Sequence, residues 1–324
     1  MYRLFALFFL FLLVGCNLNR HPIHQKTIVL DPGHGGTAET DSYRVGPGGE
    51  REEWMNLRVA LELEKLLTEN GANVLLTRTD DSHIDLADRA KLATENRADL
   101  FISIHHNATA DTTVNFPIIY FHGYADENRA GVRLAQLTAE HLRNALFSGE
   151  GPVVVASDHT IFPTAGAAVL RETYGIPAII SEASFFTNPA EEQRLKDPEY
   201  NMLEAHALYD AIVAFFSERR QPIRTKNSRY NLPPFPVMQE AERMNPRALN
   251  WLEFAMEAKD LAEIDTPSAW EMAYTLATLS VQSFPDSPMA RDAHLLRSEM
   301  LRKLGNPDDA DRAELRALQF YPIP

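Results

Sequence analysis

Three segments of the sequence place an imidazole or a carboxylate beside a short apolar run. His34 stands between glycines, His105 follows the run Phe101–Ile104, and Glu182 follows the run Ile176–Ser181. Ligands gather at the carboxyl ends of the strands in an open parallel sheet, so these side chains are expected to meet there. Singly, each histidine has an ordinary explanation as a core or surface residue. A carboxylate beside a buried strand is costly unless it is paired or used in chemistry.

The acidic start of the first predicted helix, Glu50–Glu53, is a further source of carboxylates. Acidic residues favour a helix N-terminus in any case, so this group alone does not indicate a site. Two imidazoles and one carboxylate nevertheless form a familiar zinc set that leaves a fourth position for water. Zinc lowers the pKa of that water towards about 7, and a second carboxylate can then move its proton. His34, His105, one glutamate of the helix start and Glu182 supply these groups.

The first residues of the chain predict export and attachment to lipid. Arg3 precedes the apolar run Leu4–Val14, which is shorter than the roughly 20 residues of a membrane span and suits a signal peptide. Leu13–Cys16 resembles the lipobox of bacterial lipoproteins, in which the chain is cut before a cysteine that receives lipid. An ordinary signal peptide with an incidental cysteine is the alternative. By resemblance to Gram-negative sorting, Asn17 favours the periplasmic face of the outer membrane.

Charge and cysteine content exclude several classes of function. The 324 residues include 31 Lys+Arg and 45 Asp+Glu, a formal net charge of −14, and no basic patch is evident. A nucleic-acid partner is therefore not expected. Cys16 is the only cysteine, so a mature chain lipidated there would contain no disulfide and no thiol for zinc binding or nucleophilic attack. Membrane attachment would then depend on acyl chains rather than on charge.

Strands and helices alternate through the first two thirds of the chain, which predicts an α/β fold with a mostly parallel open sheet flanked by helices. The predicted strands are Thr27–Leu30, Val74–Thr77, Leu100–Ile104, Pro117–Phe121 and Ile176–Ser181. The predicted helices of this part are Glu52–Asn70, Leu86–Arg97, Arg129–Leu146 and Met202–Arg219.

A small all-α region is predicted after this α/β part. The predicted divisions are a signal peptide (1–15), a tether (16–26), a catalytic domain (27–219), a proline-containing linker (220–240) and a helical domain (241–324). The last of these resembles a tetratricopeptide-like repeat, with helices over Ala269–Ser283, Pro288–Leu304 and Asp308–Gln319. Only about two helical pairs fit, fewer than free-standing arrays need, so a generic helical appendage is an equal alternative. This domain is a possible binding site for a protein partner.

Taken in order, the chemical segments resemble the zinc-dependent N-acetylmuramoyl-L-alanine amidases of the type-3 family. The resemblance extends from about Thr27 to Arg219. It rests on Asp31–Gly36, on Glu52 with Asn56 and Leu57, on Ser103–Asn107, and on Glu182 with Phe185 and Asn188.

The resemblance implies that His34, Glu52 and His105 hold one zinc ion and that Glu182 is the catalytic acid/base. Glu52 is preferred within the acidic helix start because of its offset from the Asn-Leu pair of the first helix. Residues expected to orient these groups or to line the groove are Asp31, Asn107 and His106. For His106, a surface position without a role is the alternative. No role is expected for His83, His122, His141, His159 and His206, except that His159 falls in a predicted groove loop.

The reaction implied by the resemblance is hydrolysis of the amide bond between N-acetylmuramic acid and L-alanine in peptidoglycan. Two other functions remain open at this point. One is a lipid-anchored zinc peptidase of the same fold. The other is a non-catalytic lipoprotein that binds the wall and recruits partners.

Overall fold

The computed structural model describes residues 21–36 and 44–323. The predicted signal peptide, Cys16 and Asn17 lie outside the described residues. Within those two ranges, none of the helices combines the length and the apolar character needed to cross a bilayer.

Six strands form one sheet in the order β2-β1-β3-β6-β4-β5. Their bounds are Thr27–Pro32 (β1), Asn73–Leu76 (β2), Leu100–Asn107 (β3), Ile118–Phe121 (β4), Val154–Ser157 (β5) and Ala178–Phe185 (β6). Every neighbouring pair is parallel except β4 with β6, which is antiparallel. The prediction of a mostly parallel open sheet is confirmed.

Twelve α-helices accompany the sheet in the described part of the chain. The first six are Glu52–Glu69 (α1), Leu86–Glu95 (α2), Arg129–Leu146 (α3), Ala168–Glu172 (α4), Pro189–Leu195 (α5) and Pro198–Ser217 (α6). The last six, which we call the helical tail, are Glu240–Arg243 (α7), Pro246–Leu249 (α8), Trp251–Ala262 (α9), Pro267–Ser283 (α10), Ala290–Lys303 (α11) and Pro307–Phe320 (α12).

Side chains alternate along each strand, so the sheet has two faces. On one face, strand residues such as Ile102 and Ile179 are fully buried against α1, α3 and α6. On the other face, Phe101 and Ile180 belong to a core that also contains Trp251, Val281 and Phe284 of the helical tail. The helical tail therefore shares a hydrophobic core with the α/β part.

Two strands extend further than their apolar composition predicts. β3 continues to Asn107, and β6 runs from Ala178 to Phe185. The prediction that Glu182 follows the last strand is therefore wrong, because Glu182 lies inside β6. Polar residues interrupt the apolar pattern by which a strand is predicted. In the structure, hydrogen bonds between β3 and β6 keep the backbone extended through these polar residues.

Segments beside the predicted catalytic domain are also attached to it. Ile23, in the predicted tether, is fully buried, and the Gln25 amide donates to the Gly71 carbonyl at 2.7 Å. In the predicted linker, the amides of Asn227 and Arg229 donate to the Glu127 carboxylate at 2.9 and 2.7 Å. The exact domain limits stay a prediction.

Candidate metal centre

The sheet brings His105 and Glu182 side by side. They are register partners on β3 and β6, so both side chains project from the same face. His34 lies two residues beyond β1, with a positive φ of 59°. The loop approaches His105 so closely that a Cβ on Gly33 would lie 2.2 Å from the imidazole, which excludes a larger residue there. Predicted site residues distant in sequence thus meet at the carboxyl ends of the parallel strands.

Glu52, at the start of α1, lies between the two histidines. Its Oε1 is 3.0 Å from His34 Nε2 and 2.9 Å from His105 Nδ1. The two imidazole rings are perpendicular, with centroids 4.6 Å apart. One ligand atom from each of these three residues lies within 4.8 Å of the others. We call His34, Glu52 and His105 the cleft cluster.

The protonation states of the residues in the cleft cluster favour the binding of a cation. Burial lowers the pKa of His105 to about 4, so its imidazole is neutral and able to act as a ligand. Burial opposes ionisation of Glu52, but His34 and His105 together hold the pKa of Glu52 well below its usual range. His34 Nε2 is buried and, among the described residues, makes no hydrogen bond despite its closeness to Glu52. Two imidazoles and one carboxylate fit the common donor set of a catalytic zinc.

Glu182 is a separate acid beside the cleft cluster. Burial, reinforced by the charge of Glu52 and partly opposed by Arg44, raises the pKa of Glu182 well above its usual range. Its Oε2 is buried and has no hydrogen-bond partner among the residues that the structure describes. A protonated or proton-accepting carboxyl is therefore available next to the candidate ligands.

Asp31 fixes the base of the loop that carries His34. Its carboxylate accepts hydrogen bonds from Ser103 Oγ and Thr77 Oγ1, both at 2.6 Å, and from Arg89 at 2.8 Å. Arg89 also donates to the carbonyls of Pro32 and His34. Through these hydrogen bonds Asp31 orients the loop, and its role behind the candidate ligands stays a prediction.

His106 points to the opposite face from His105 and is buried. Its Nδ1 lies 2.9 Å from Asn56 Oδ1 and its Nε2 lies 2.9 Å from Glu204 Oε2. Asn56 in turn donates to Glu52 Oε1 at 3.4 Å. Burial opposes protonation of His106, but the charge of Glu204 raises the pKa of His106. His106 thus supports α1 from below, whereas the sequence left its role open between the groove and the surface.

Asn107 and Glu204 show what sequence reasoning could and could not find. Asn107 ends β3, and its side-chain oxygen accepts from the Ala108 amide at 2.8 Å, so it shapes the next loop. Glu204 was not predicted as a site residue. The sequence shows only that Glu204 is an acidic residue among the apolar residues of α6. That pattern does not reveal that its partner is His106, 98 positions away.

A second group of possible metal ligands consists of His122, Asp158 and His159, which we call the edge cluster. Asp158 Oδ2 lies 2.7 Å from His122 Nδ1 and accepts from the Ala167 amide at 2.7 Å. His159 stacks on Phe320 of the helical tail, with ring centroids 5.8 Å apart. The edge cluster follows the carboxyl ends of β4 and β5. Because β4 and β5 run antiparallel to β6, these ends lie at the opposite end of the strands from the cleft cluster.

The cleft cluster opens into two adjoining cavities that share Tyr120, Phe162 and Glu182. The first lobe, of about 590 Å³, is lined by His34 and His105 and lies within the α/β part. The second lobe, of about 400 Å³, passes Glu52 and reaches residues of and before the helical tail. A two-part substrate could therefore lie across the cluster, with one part in each lobe.

Known proteins resemble this chain over the α/β part. A family model described as N-acetylmuramoyl-L-alanine amidase matches residues 28–214. The probable cell wall amidase LytH of Staphylococcus epidermidis is 32% identical over 202 residues, which are 62% of this chain and 62% of that protein. The chain thus spans less than two thirds of the length of this relative.

Solved structures agree with the family model. The N-acetylmuramoyl-L-alanine amidase of Clostridium difficile 630 has a TM-score of 0.52 and 28% identity, covering 60% of this chain and 99% of that one. The CwlD amidase of Clostridioides difficile, solved in complex with the GerS lipoprotein, has a TM-score of 0.52 and 25% identity, with 60% and 99% coverage. Since the family model covers more than half of the sequence, the chain belongs to the N-acetylmuramoyl-L-alanine amidase family.

Proposed function

We propose that this protein is a zinc-dependent amidase that cleaves the bond between N-acetylmuramic acid and L-alanine in peptidoglycan. The observation that carries the proposal is the cleft cluster with a spare, buried acid, Glu182, beside it. Membership of the amidase family supports the choice of bond.

His34, Glu52 and His105 would hold the zinc, which supplies Lewis acidity towards a carbonyl oxygen and a lowered pKa for water. Glu182 would accept the proton of the attacking water and return it to the departing amine. The raised pKa of Glu182 is suited to the second of these steps. A bound cation would lower that pKa, which favours the first step. Arg44 forms an ion pair with Glu52, with its Nη1 3.0 Å from Glu52 Oε2.

Mass spectrometry of digested peptidoglycan tests this proposal. Zinc-loaded protein should release stem peptides whose new amino terminus is L-alanine, and leave glycan strands that keep the lactyl group. A new amino terminus at a later stem residue would instead establish the peptidase alternative. Binding to the wall without any released peptide from several wall preparations would favour the non-catalytic scaffold.

We also propose that the protein is exported and anchored by lipid on Cys16, at the periplasmic face of the outer membrane. The lipobox-like Leu13–Cys16 and the following Asn17 support this proposal. Metabolic labelling with a radioactive fatty acid tests it, because Cys16→Ala should abolish the label and release the protein from membranes. Unchanged labelling of that variant would contradict the anchor.

The helical tail is our candidate for contact with a protein partner. CwlD, a similar amidase, was solved in complex with a lipoprotein, which shows that amidases of this fold can assemble with other proteins. The tetratricopeptide-like character of the helical domain of this chain, and the domain limits at 241–324, remain part of this proposal. Affinity purification of the full-length protein, compared with a full-length variant in which the exposed Met256 and Met272 are changed to serine, would identify a partner that depends on the surface of the tail.

A further inference from the structure

The second lobe of the cleft is walled partly by residues outside the family match. Met238, Arg243 and Asp286 line this lobe, whereas the family model matches residues 28–214. The same lobe contains Glu52 and Glu182. The segment beyond the family match therefore contributes directly to the cleft in which the amide would be cut.

The turn between α10 and α11 is firmly seated beside the catalytic face of the sheet. Phe284 packs against Phe185 and Phe116, with ring centroids 6.3 and 6.4 Å apart. Asp286, two residues later, is only 2% exposed and accepts a hydrogen bond from the Tyr120 hydroxyl. Tyr120 lies on β4 and lines both lobes. The position of this turn is thus set by the α/β part.

Arg243 presents a cation in the second lobe. Its side chain is 22% exposed, and its Nε donates to the Met238 carbonyl at 3.1 Å. Its guanidinium lies 3.9 Å from Asp286 Oδ1, which is beyond hydrogen-bond distance. Asp286 therefore orients Arg243 through charge attraction without occupying its remaining N–H donors.

Only one half of the substrate offers a partner to such a cation. Once the lactyl carboxyl is joined in the amide, the amino-sugar half carries no charge, whereas the stem peptide carries free carboxylates. A guanidinium binds a carboxylate through two parallel hydrogen bonds, which gives geometric selectivity as well as affinity. The first lobe is also lined by Arg89 and Arg171, but Arg89 pairs with Asp31 and Arg171 pairs with Glu172. Arg243 keeps N–H donors for a ligand, so its charge favours the peptide half in the second lobe.

We propose that the second lobe is the peptide subsite and that Arg243 binds the free carboxylate of the residue following L-alanine. This inference rests on the proposed amidase function and deepens it. The glycan half then occupies the first lobe, on the other side of Glu182. The segment after the linker acts as a specificity wall for the peptide, in addition to any role in binding a partner.

Paired substrates test the assignment. Muropeptides are prepared with the second stem residue as D-glutamate, with a free α-carboxylate, or as its α-amide. Wild type should cleave the free acid with kcat/KM about tenfold higher, mostly through KM, as expected for hydrogen bonds to a charged group. Arg243→Ala should cleave both substrates with equal kcat/KM, and Arg243→Lys should retain part of the preference. Arg247→Ala, an exposed arginine four residues later, is the matched control and should behave as wild type.

A binding measurement separates failure of this inference from failure of the amidase proposal. The two product peptides, free acid and amide, are titrated calorimetrically into zinc-loaded wild type and Arg243→Ala. Tighter binding of the free acid that is lost in Arg243→Ala supports the subsite even if no substrate is cut. Equal binding of both peptides by wild type, or an unchanged preference in Arg243→Ala, overturns it.

Discussion

The cleft cluster and the edge cluster contain the same residue types but differ in what surrounds them. Each has two histidines and one carboxylate close enough to hold a metal ion. In the cleft cluster, Glu52 meets imidazoles and Arg44, and an additional acid, Glu182, stands beside it. In the edge cluster, His122 packs against the ring of Tyr174 and His159 stacks on the ring of Phe320.

The carboxylate of the edge cluster is occupied by the backbone. Asp158 Oδ2 accepts from the Ala167 amide, and Oδ1 accepts from the Gly123 amide at 3.4 Å. A Cβ on Gly166 would lie 2.5 Å from Asp158 Oδ2, so the loop packs tightly against the acid. Short distances between ligand types therefore do not define a catalytic centre. An open cleft and a free acid are also needed.

Removing one histidine from each cluster should have very different consequences. His105→Ala should lose zinc and reduce amidase activity by at least about a thousandfold, since a catalytic metal contributes several kcal/mol to transition-state stabilisation. His159→Ala is the matched variant in the edge cluster and should keep both zinc and activity. Metal analysis after dialysis, with turnover of a muropeptide, measures the difference. Equal zinc loss from the two variants would show that the cleft cluster is not the preferred zinc site.

Glu182→Gln should separate catalysis from metal binding. The variant keeps the shape of the side chain but cannot exchange a proton, so turnover should fall by about 10²–10⁴-fold. Its zinc content should equal that of wild type, because Glu182 is not among the three proposed ligands. Parallel zinc assays and rate measurements test this, and a variant that retains full activity would exclude Glu182 as the acid/base.

The support beneath the cleft cluster predicts a stability effect. Glu204→Ala leaves His106 buried without its acid, and removal of one partner from a buried pair costs about 3–5 kcal/mol of unfolding free energy. Asp210→Ala, an exposed change on the same helix, should stay within about 0.5 kcal/mol of wild type. Urea denaturation of the three proteins gives the values. Equal stability of Glu204→Ala and wild type would show that the pair does not hold α1 in place.

The smallest expected effect concerns the edge cluster. Asp158→Asn cannot accept from both backbone amides and His122 as the carboxylate does, so it should lower the free energy of unfolding by about 1–3 kcal/mol. Zinc content should not change, which contrasts with His105→Ala. A lower zinc content in Asp158→Asn than in wild type would indicate that the edge cluster also binds metal.

Residues beside strand ends were the part of the site most accessible to sequence reasoning. His34, His105 and Glu182 accompany apolar runs, and the rule that strand ends meet at one edge brings them together. Glu52 could not be separated from its acidic neighbours by pattern alone. Its selection depended on the family resemblance and its spacing from the following Asn-Leu pair.

Contacts between distant residues account for what the sequence did not predict. Tyr120 and Asp286 are 166 positions apart, and no periodicity connects a strand residue with a turn between two helices. β5 has only four residues, Val154–Ser157, too few for alternation to stand out from a loop. Docking of the helical tail on the sheet depends on apolar residues whose helical spacing predicts burial but not the surface against which they are buried.

The position of bound zinc in a crystal decides between the cleft cluster and the edge cluster. Crystals grown with zinc and measured at the zinc absorption edge should show one anomalous peak per chain, between His34, Glu52 and His105 and beside Glu182. The absence of a peak there, or a peak at His122, Asp158 and His159 instead, would contradict the assignment of the cleft cluster as the metal centre.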